Sequence, residues 1–217
     1  DPNAMFSLAM FNMAGRGGLN DHTTAVKLLE QAAKLGHILA AYDLGLLYLQ
    51  GRDVVQDFGH AAKLFEQAAN AGSPEAQYAL ATMYKEGRGV PKDLHKAAVL
   101  LARSSIGGDL DAMVEFAIAQ FNGDGTTKSE SAAAQLFLRA AERGSPIAQD
   151  RLARILMAGR GMPADPARAI KWHIVAKAAG ANDADLDVFA AKQPQAVQDA
   201  GEKAARTWMS TLKQPRS

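Results

Sequence analysis

The chain has 217 residues, 48% of them hydrophobic and 22% charged, and a formal net charge of +1 from 24 Lys+Arg against 23 Asp+Glu. This composition belongs to a folded chain rather than a disordered one, and the balanced charge speaks against nucleic-acid binding or a membrane-surface role. The absence of cysteine excludes disulfides, thiolate metal sites and cysteine nucleophiles, and no apolar run approaches the length needed for membrane insertion.

The chain opens at Asp1, Pro2 and Asn3, almost inside a repeat. The expectation is a piece of a longer protein, with any targeting segment upstream. Glycine then recurs every 36 residues at Gly15, Gly51, Gly87, Gly123 and Gly159. Alanine keeps the same step at Ala4, Ala40, Ala76, Ala112, Ala148 and Ala184, and again at Ala25, Ala61, Ala97, Ala133 and Ala169. A second glycine set is Gly36, Gly72, Gly108, Gly144 and Gly180. Five copies hold this register without insertion or deletion, which is the signature of a repeat architecture.

Each copy reads as two helices and two breaks. In copy two, Ala41, Leu44, Gly45 and Tyr48 share one helical face. Gly51 ends that helix, because glycine takes the left-handed C-terminal conformation without a Cβ clash. The second helix starts at Asp57, with Asp21, Asp93, Ser129 and Asp165 as N-caps of the other copies. Its inner stripe is Ala61, Leu64, Phe65, Ala68 and Ala69, and Gly72 closes it. Ser73 with Pro74, and Ser145 with Pro146, read as an N-cap followed by the first helical residue of the next copy. Small residues at Gly45, Ala81, Ala117 and Ala153 let helix backbones approach closely. A single hairpin cannot bury its own apolar faces, so stacked hairpins share a core.

After copy five, Ala184 to Ala191 is predicted as a short helix with Leu186 and Val188 inward. Pro194 interrupts the pattern, and residues 195–212 form an amphipathic helix carrying Ala200, Ala204, Ala205, Trp208 and Leu212. This last helix reads as a cap over the final hairpin, with a partner-binding helix as the alternative; residues 213–217 are expected to fray. The expected division is a repeat array over 1–193 and a capping helix with its tail over 194–217.

The copy with the fullest pattern runs Ala76, Tyr78, Leu80, Ala81, Tyr84, Gly87, Gly89, Val90, Asp93, Lys96, Ala97. These residues, and the register over roughly residues 4–183, resemble the Sel-one-like repeat (SLR) family, which is related to tetratricopeptide repeats. Copies one, four and five depart from the pattern, with Asn12, Gln120 and Leu156 at the Tyr84 position and Gly18, Thr126 and Met162 at that of Val90. The resemblance implies an all-α fold, a right-handed α-solenoid of stacked antiparallel helix pairs that binds other proteins. Relatives are often exported by Gram-negative bacteria, which leans the expected compartment towards the periplasm.

The glycine pairs, Gly15 with Gly17, Gly87 with Gly89, Gly123 with Gly125 and Gly159 with Gly161, follow helices rather than strands. They therefore read as structural turns and not as phosphate loops. Arg16, Arg52, Arg88 and Arg160 share one edge, which leaves a weak anion-binding stripe open. The histidines His22, His37, His60, His95 and His173 show no metal spacing. His60 and His95 are expected in solvent. His173 stands where Phe65 and Phe137 stand, and reads as a packed side chain. Asp109, Asp111 and Glu115, and likewise Asp183, Asp185 and Asp187, complement helix N-termini. No cofactor is expected.

The first helices carry a second stripe, roughly 140–200° from the inward residue at 100° per residue. It comprises Phe6, Met10 and Met13, then Tyr42, Leu46 and Leu49, then Tyr78, Thr82 and Lys85. Copy four continues it with Val114, Ile118 and Phe121, and copy five with Asp150, Arg154 and Met157. The resemblance places this face on the concave surface. An apolar stripe there suits a protein or peptide partner; the competing reading is burial by tight superhelical curvature. Two further readings stand beside this non-catalytic scaffold. One is a hydrolase of cell-wall or β-lactam substrates, as suggested for cysteine-rich relatives. The other is a homodimer through the amino-terminal repeat, with Phe6, Met10 and Phe11 at the interface and Phe11 at the register of the inward Leu47.

Overall fold

The computed structural model describes residues 1–15 and 21–212. Twelve helices and no strand occur among the described residues. The first unit, Asp1–Ala112, holds α1 (Pro2–Met13), α2 (His22–Lys34), α3 (Ile38–Gln50), α4 (Phe58–Asn70), α5 (Pro74–Glu86), α6 (Leu94–Ile106) and the start of α7 (Leu110–Asn122). The second, Met113–Ser217, holds the rest of α7, α8 (Glu130–Glu142), α9 (Pro146–Ala158), α10 (Pro166–Ala178), α11 (Ala184–Ala191) and α12 (Gln195–Leu212). In the first unit each of α1 to α5 packs on the helix that follows it. In the second, α8 packs on α9 and α9 on α10, which also carries α11 and α12. Consecutive helix pairs thus pack as repeats.

Local chemistry sets the ends of these helices. The carboxylates of Asp21, Asp57, Asp93 and Asp165 accept from the N–H three residues on, as does the Ser129 hydroxyl. Ser73 and Ser145 accept from Ala76 and Ala148 in the same way, with proline first in each helix. His37 does this work for α3, where its Nδ1 accepts from the Ala40 N–H at 3.0 Å. Two buried glutamines at one register, Gln77 and Gln149, donate across the break to the carbonyls of Ala69 and Ala141. They satisfy acceptors that the preceding helix leaves open at its end.

The core is alanine-rich because the helices approach closely. Ala61, Leu64, Phe65, Ala68 and Ala69 are all buried. Gly45 shows how tight the packing is: a Cβ there would meet the Phe65 ring at 2.7 Å.

In two of the pairs, Gly87 with Gly89 and Gly159 with Gly161, the second glycine has a tertiary reason. A Cβ on Gly89 would stand 2.2 Å from the Phe58 carbonyl oxygen, and one on Gly161 would stand 2.2 Å from that of Glu130. Each turn therefore sits against the first residue of the preceding repeat's second helix. In copy two this position is Asp53, the only non-glycine with positive φ (63°) among the described residues. Aspartate tolerates the left-handed region better than most residues. Its Oδ2 lies 2.9 Å from Nδ1 of His22, the first residue of α2.

Two expectations at the carboxyl-terminal end are corrected. Val188 is 53% exposed, while Leu186 is buried. Two residues turn a helix by about 200°, so the pair cannot share a face. Ala200 is exposed, and the inner face of α12 is Gly201, Ala205 and the half-buried Trp208. There α12 lies so close to α10 that a Cβ at position 201 would meet Ile170 at 2.6 Å. The Leu212 side chain, Arg16, Gly17, Gly18 and the tail 213–217 lie outside the described residues.

Candidate functional site

The predicted stripe divides by unit. In the first, Phe6 is half-buried and stacks on His37 at 4.5 Å. Met10, Met13, Leu46, Leu49 and Tyr78 are half-buried, and Lys85 is exposed. The half-buried Tyr42 has its ring 5.8 Å from Phe65, so it is joined to the core rather than standing free of it. Burial, with the charges of Glu75 and Asp43 added, raises its phenol above the ordinary value. The Thr82 hydroxyl donates to the Tyr78 carbonyl at 3.1 Å, so it is engaged within its own helix. Phe11 is 47% exposed, whereas its register mate Leu47 is buried.

In the second unit the stripe meets a cavity of about 330 Å³ between α7 and α9. Ile118, Phe121, Arg154 and Met157 of the stripe line it. Val114 does not: it is 4% exposed and closed to any partner. A valine is too short to emerge where tyrosine or phenylalanine does at the same register. Further lining residues escaped the sequence reading, among them Phe137, Arg151 and Ile155, while Arg160 was singled out there only for the arginine edge. Arg151, Arg154, Ile155 and Ala158 form an i, i+3, i+4, i+7 ridge on α9 next to the predicted stripe, so their spacing was the available signal.

The cavity walls are held by charge. Arg160 pairs through Nε and Nη2 with the Glu130 carboxylate, and its guanidinium lies 4.4 Å above the Phe121 ring. One face of Phe121 is thereby covered. The Arg154 Nε lies 2.6 Å from Asp183 and 3.9 Å from Asp150, and its Nη1 lies 3.6 Å from Asp185. Burial pushes Asp183 up, but the Leu186 N–H and Arg154 outweigh it and hold the carboxyl below its ordinary value. Burial, reinforced by the Asp183 charge, raises Asp150 above its own.

A raised folded-state pKa favours the protonated form. The stability it brings is present below the unfolded carboxylate value and is lost as pH rises through the folded one. Ionised Asp150 therefore works against folding at neutral pH. Asp150→Asn is expected to stabilise the fold at pH 7, by less than about 1 kcal/mol because the site is partly exposed. The gain should fade below about pH 4, where the aspartate itself is protonated. Thermal unfolding at both pH values checks this.

Elsewhere the candidate chemistry is structural. His173 is 5% exposed, and its Nε2 lies 2.8 Å from Asp187, which also accepts from Lys177. Asp187 thus ties α11 to α10, beyond complementing a helix N-terminus. Asp109 accepts from the Ala112 N–H at the start of α7. Arg88 pairs with Glu86 and lies over Phe58, so it is engaged locally, as Arg160 is; Arg52 is exposed. His60 is exposed but packs on Tyr48 at 4.3 Å. A second cavity, about 280 Å³, lies beside α4 and is walled by Asp57, His60, Lys63, Glu66 and Tyr84. No group of three His, Cys, Asp or Glu among the described residues is placed to hold a metal, and no described helix is long and apolar enough to cross a membrane.

The family model for the Sel1 repeat matches residues 2–37, 38–73, 74–109, 110–145 and 146–180. The chain belongs to the Sel1 repeat family. Sel1 repeat proteins are typically non-catalytic scaffolds for protein–protein interaction. Among solved structures the chain is similar to a Sel1 repeat protein from Oxalobacter formigenes, at 25% identity and a TM-score of 0.80, covering 98% of this chain and 87% of that one. It is also similar to a protective antigen of uropathogenic Escherichia coli displaying an SLR fold, at 23% identity and a TM-score of 0.79, over 100% of this chain and 51% of that one. The latter likeness concerns the fold alone. No curated protein sequence matches significantly.

Proposed function

We propose that this Sel1 repeat chain is a non-catalytic interaction module that holds a peptide or protein segment against the second stripe of its first helices. The observation that supports this most is the α7–α9 cavity, whose lining combines Ile118, Phe121 and Met157 with arginine. Apolar side chains at a concave site with a few placed polar groups are the usual make-up of a binding pocket. The half-buried Tyr42 and Tyr78 supply the same kind of surface in the first unit.

The test is selection from a displayed library of random peptides on the immobilised chain and on a variant with Tyr42, Tyr78 and Phe121 all changed to alanine. The wild type should retain a defined set of peptides. The variant should keep its helical circular dichroism, melt somewhat earlier because Tyr42 touches Phe65, and retain none of them. Equal retention by both proteins, or collapse of the variant's fold, would overturn the reading.

A further inference from the structure

Resting on that reading, we infer that the α7–α9 cavity takes an acidic peptide segment, with one large apolar side chain on the cavity floor and carboxylates on both sides of it. The floor is apolar: Ile118 and Phe121 from α7, Phe137 from α8, Met157 from α9. About 330 Å³ sits at the low end of the roughly 300–1,000 Å³ typical of small-molecule sites, so it suits a single large side chain better than a bulky cofactor.

Every charged side chain lining the cavity is an arginine: Arg151, Arg154 and Arg160. Two are fixed before anything binds. Arg154 uses Nε and Nη1 on the aspartates around it, and Arg160 uses Nε and Nη2 on Glu130. Each keeps a further nitrogen for a ligand, since a guanidinium carries five N–H donors. Their attraction for an anion is moderated by the carboxylates they already hold, but less side-chain entropy is lost on binding. Arg151 differs: it is exposed and interacts with Asp150 at longer range, outside the close ion pairs that Arg154 and Arg160 make, so its charge is the least compensated of the three.

The spacing selects an internal segment over a chain terminus. Arg151 and the last residue of α9, Ala158, are seven residues apart, roughly 10 Å at 1.5 Å per residue, and Arg160 follows just past the Gly159 turn. An extended peptide covers that distance in about three to four residues. One terminal carboxylate would reach only one end of the floor, whereas acidic residues on either side of an apolar anchor reach both.

The library selection described above separates this inference from the reading beneath it. Peptides retained by the wild type are expected to carry a Leu, Phe, Met or Trp with Asp or Glu within two residues on each side. A synthetic, end-capped peptide of that pattern should bind with an affinity that falls as salt is raised. Arg151→Glu, at an exposed position, should leave the fold intact and weaken the peptide by about tenfold or more, because like charges would then face each other. Changing the peptide's Asp to Lys should restore part of the affinity for that variant. Retained peptides with no acidic residue, or equal binding to wild type and Arg151→Glu, would overturn the inference and leave the interaction module standing. Retention of no peptide at all would remove both.

Discussion

Gly161→Ala is expected to destabilise the second unit by roughly 2–5 kcal/mol, while Gly159→Ala, two residues earlier in the same turn, costs only about 1–2 kcal/mol. Both glycines have left-handed backbones, with φ of 79° and 67°. Alanine at either position bears the strain of that conformation. The difference lies in what a Cβ would meet. At position 159 the nearest atom is the Ala164 Cβ at 3.4 Å, an ordinary contact. At position 161 it is the Glu130 carbonyl oxygen at 2.2 Å, with its carbon at 2.5 Å and the Ser131 nitrogen at 3.1 Å. These are backbone atoms at the start of α8. They cannot step aside as a flexible side chain would, so the turn must move away from the helix it rests on. Denaturant unfolding of the two variants measures the gap, and equal losses would show that only backbone conformation matters there. The first unit offers the same comparison, since a Cβ on Gly89 would approach Phe58 equally closely.

Trp172→Ala is expected to cost about 3–5 kcal/mol, the range for deleting a large buried aromatic. Trp172 is 2% exposed and heads the fully buried side chains by volume. Its ring meets Trp208 of α12 edge-on at 5.3 Å, and the Lys171 ammonium lies 4.1 Å above it. Burial of Lys171 against these rings lowers its pKa below the ordinary lysine value. Beside this aromatic pair, α12 reaches α10 through small residues at Gly201 and Ala205, so losing the indole removes the aromatic contact between them. The expected result is release of α12 before the rest of the unit unfolds, as local stability in repeat arrays permits. The chain has two tryptophans, so emission from the variant reports Trp208 alone. A red shift and early protease cleavage near α12 should accompany the loss of stability. An unshifted spectrum would show that α12 is held by other contacts.

These two positions illustrate how differently the parts of the molecule can be read. Gly159 is intelligible from the chain alone: a helix ends there, and glycine takes the conformation that ends it. Gly161 looks like its twin in the sequence, yet its requirement comes from a carbonyl 31 residues upstream in α8. The inner stripe of α4 was legible from period alone, and so were Ala205 and Trp208 on α12, whereas Ala200 was taken for the buried position that Gly201 holds. There the deciding fact is how near α10 lies, and the hydrophobic pattern of α12 carries no record of that distance.

The site divides in the same way. Ile118, Phe121, Arg154 and Met157 could be found by counting around the first helices, because a helical face is a local property. Val114 was misassigned because side-chain length decides which members of a stripe emerge. Arg160 folding over Phe121, and Asp183 holding Arg154, join residues 29 to 39 positions apart; no local pattern specifies such pairings. By itself, the sequence determined the 36-residue unit, the caps and left-handed glycines that bound its helices, and the alanine-rich faces that stack, since each depends on backbone chemistry within a few residues. Only the tertiary structure decided which stripe residues stay open, which arginines are already paired and where a cavity lies between α7 and α9, because those follow from distances between helices that never meet along the chain.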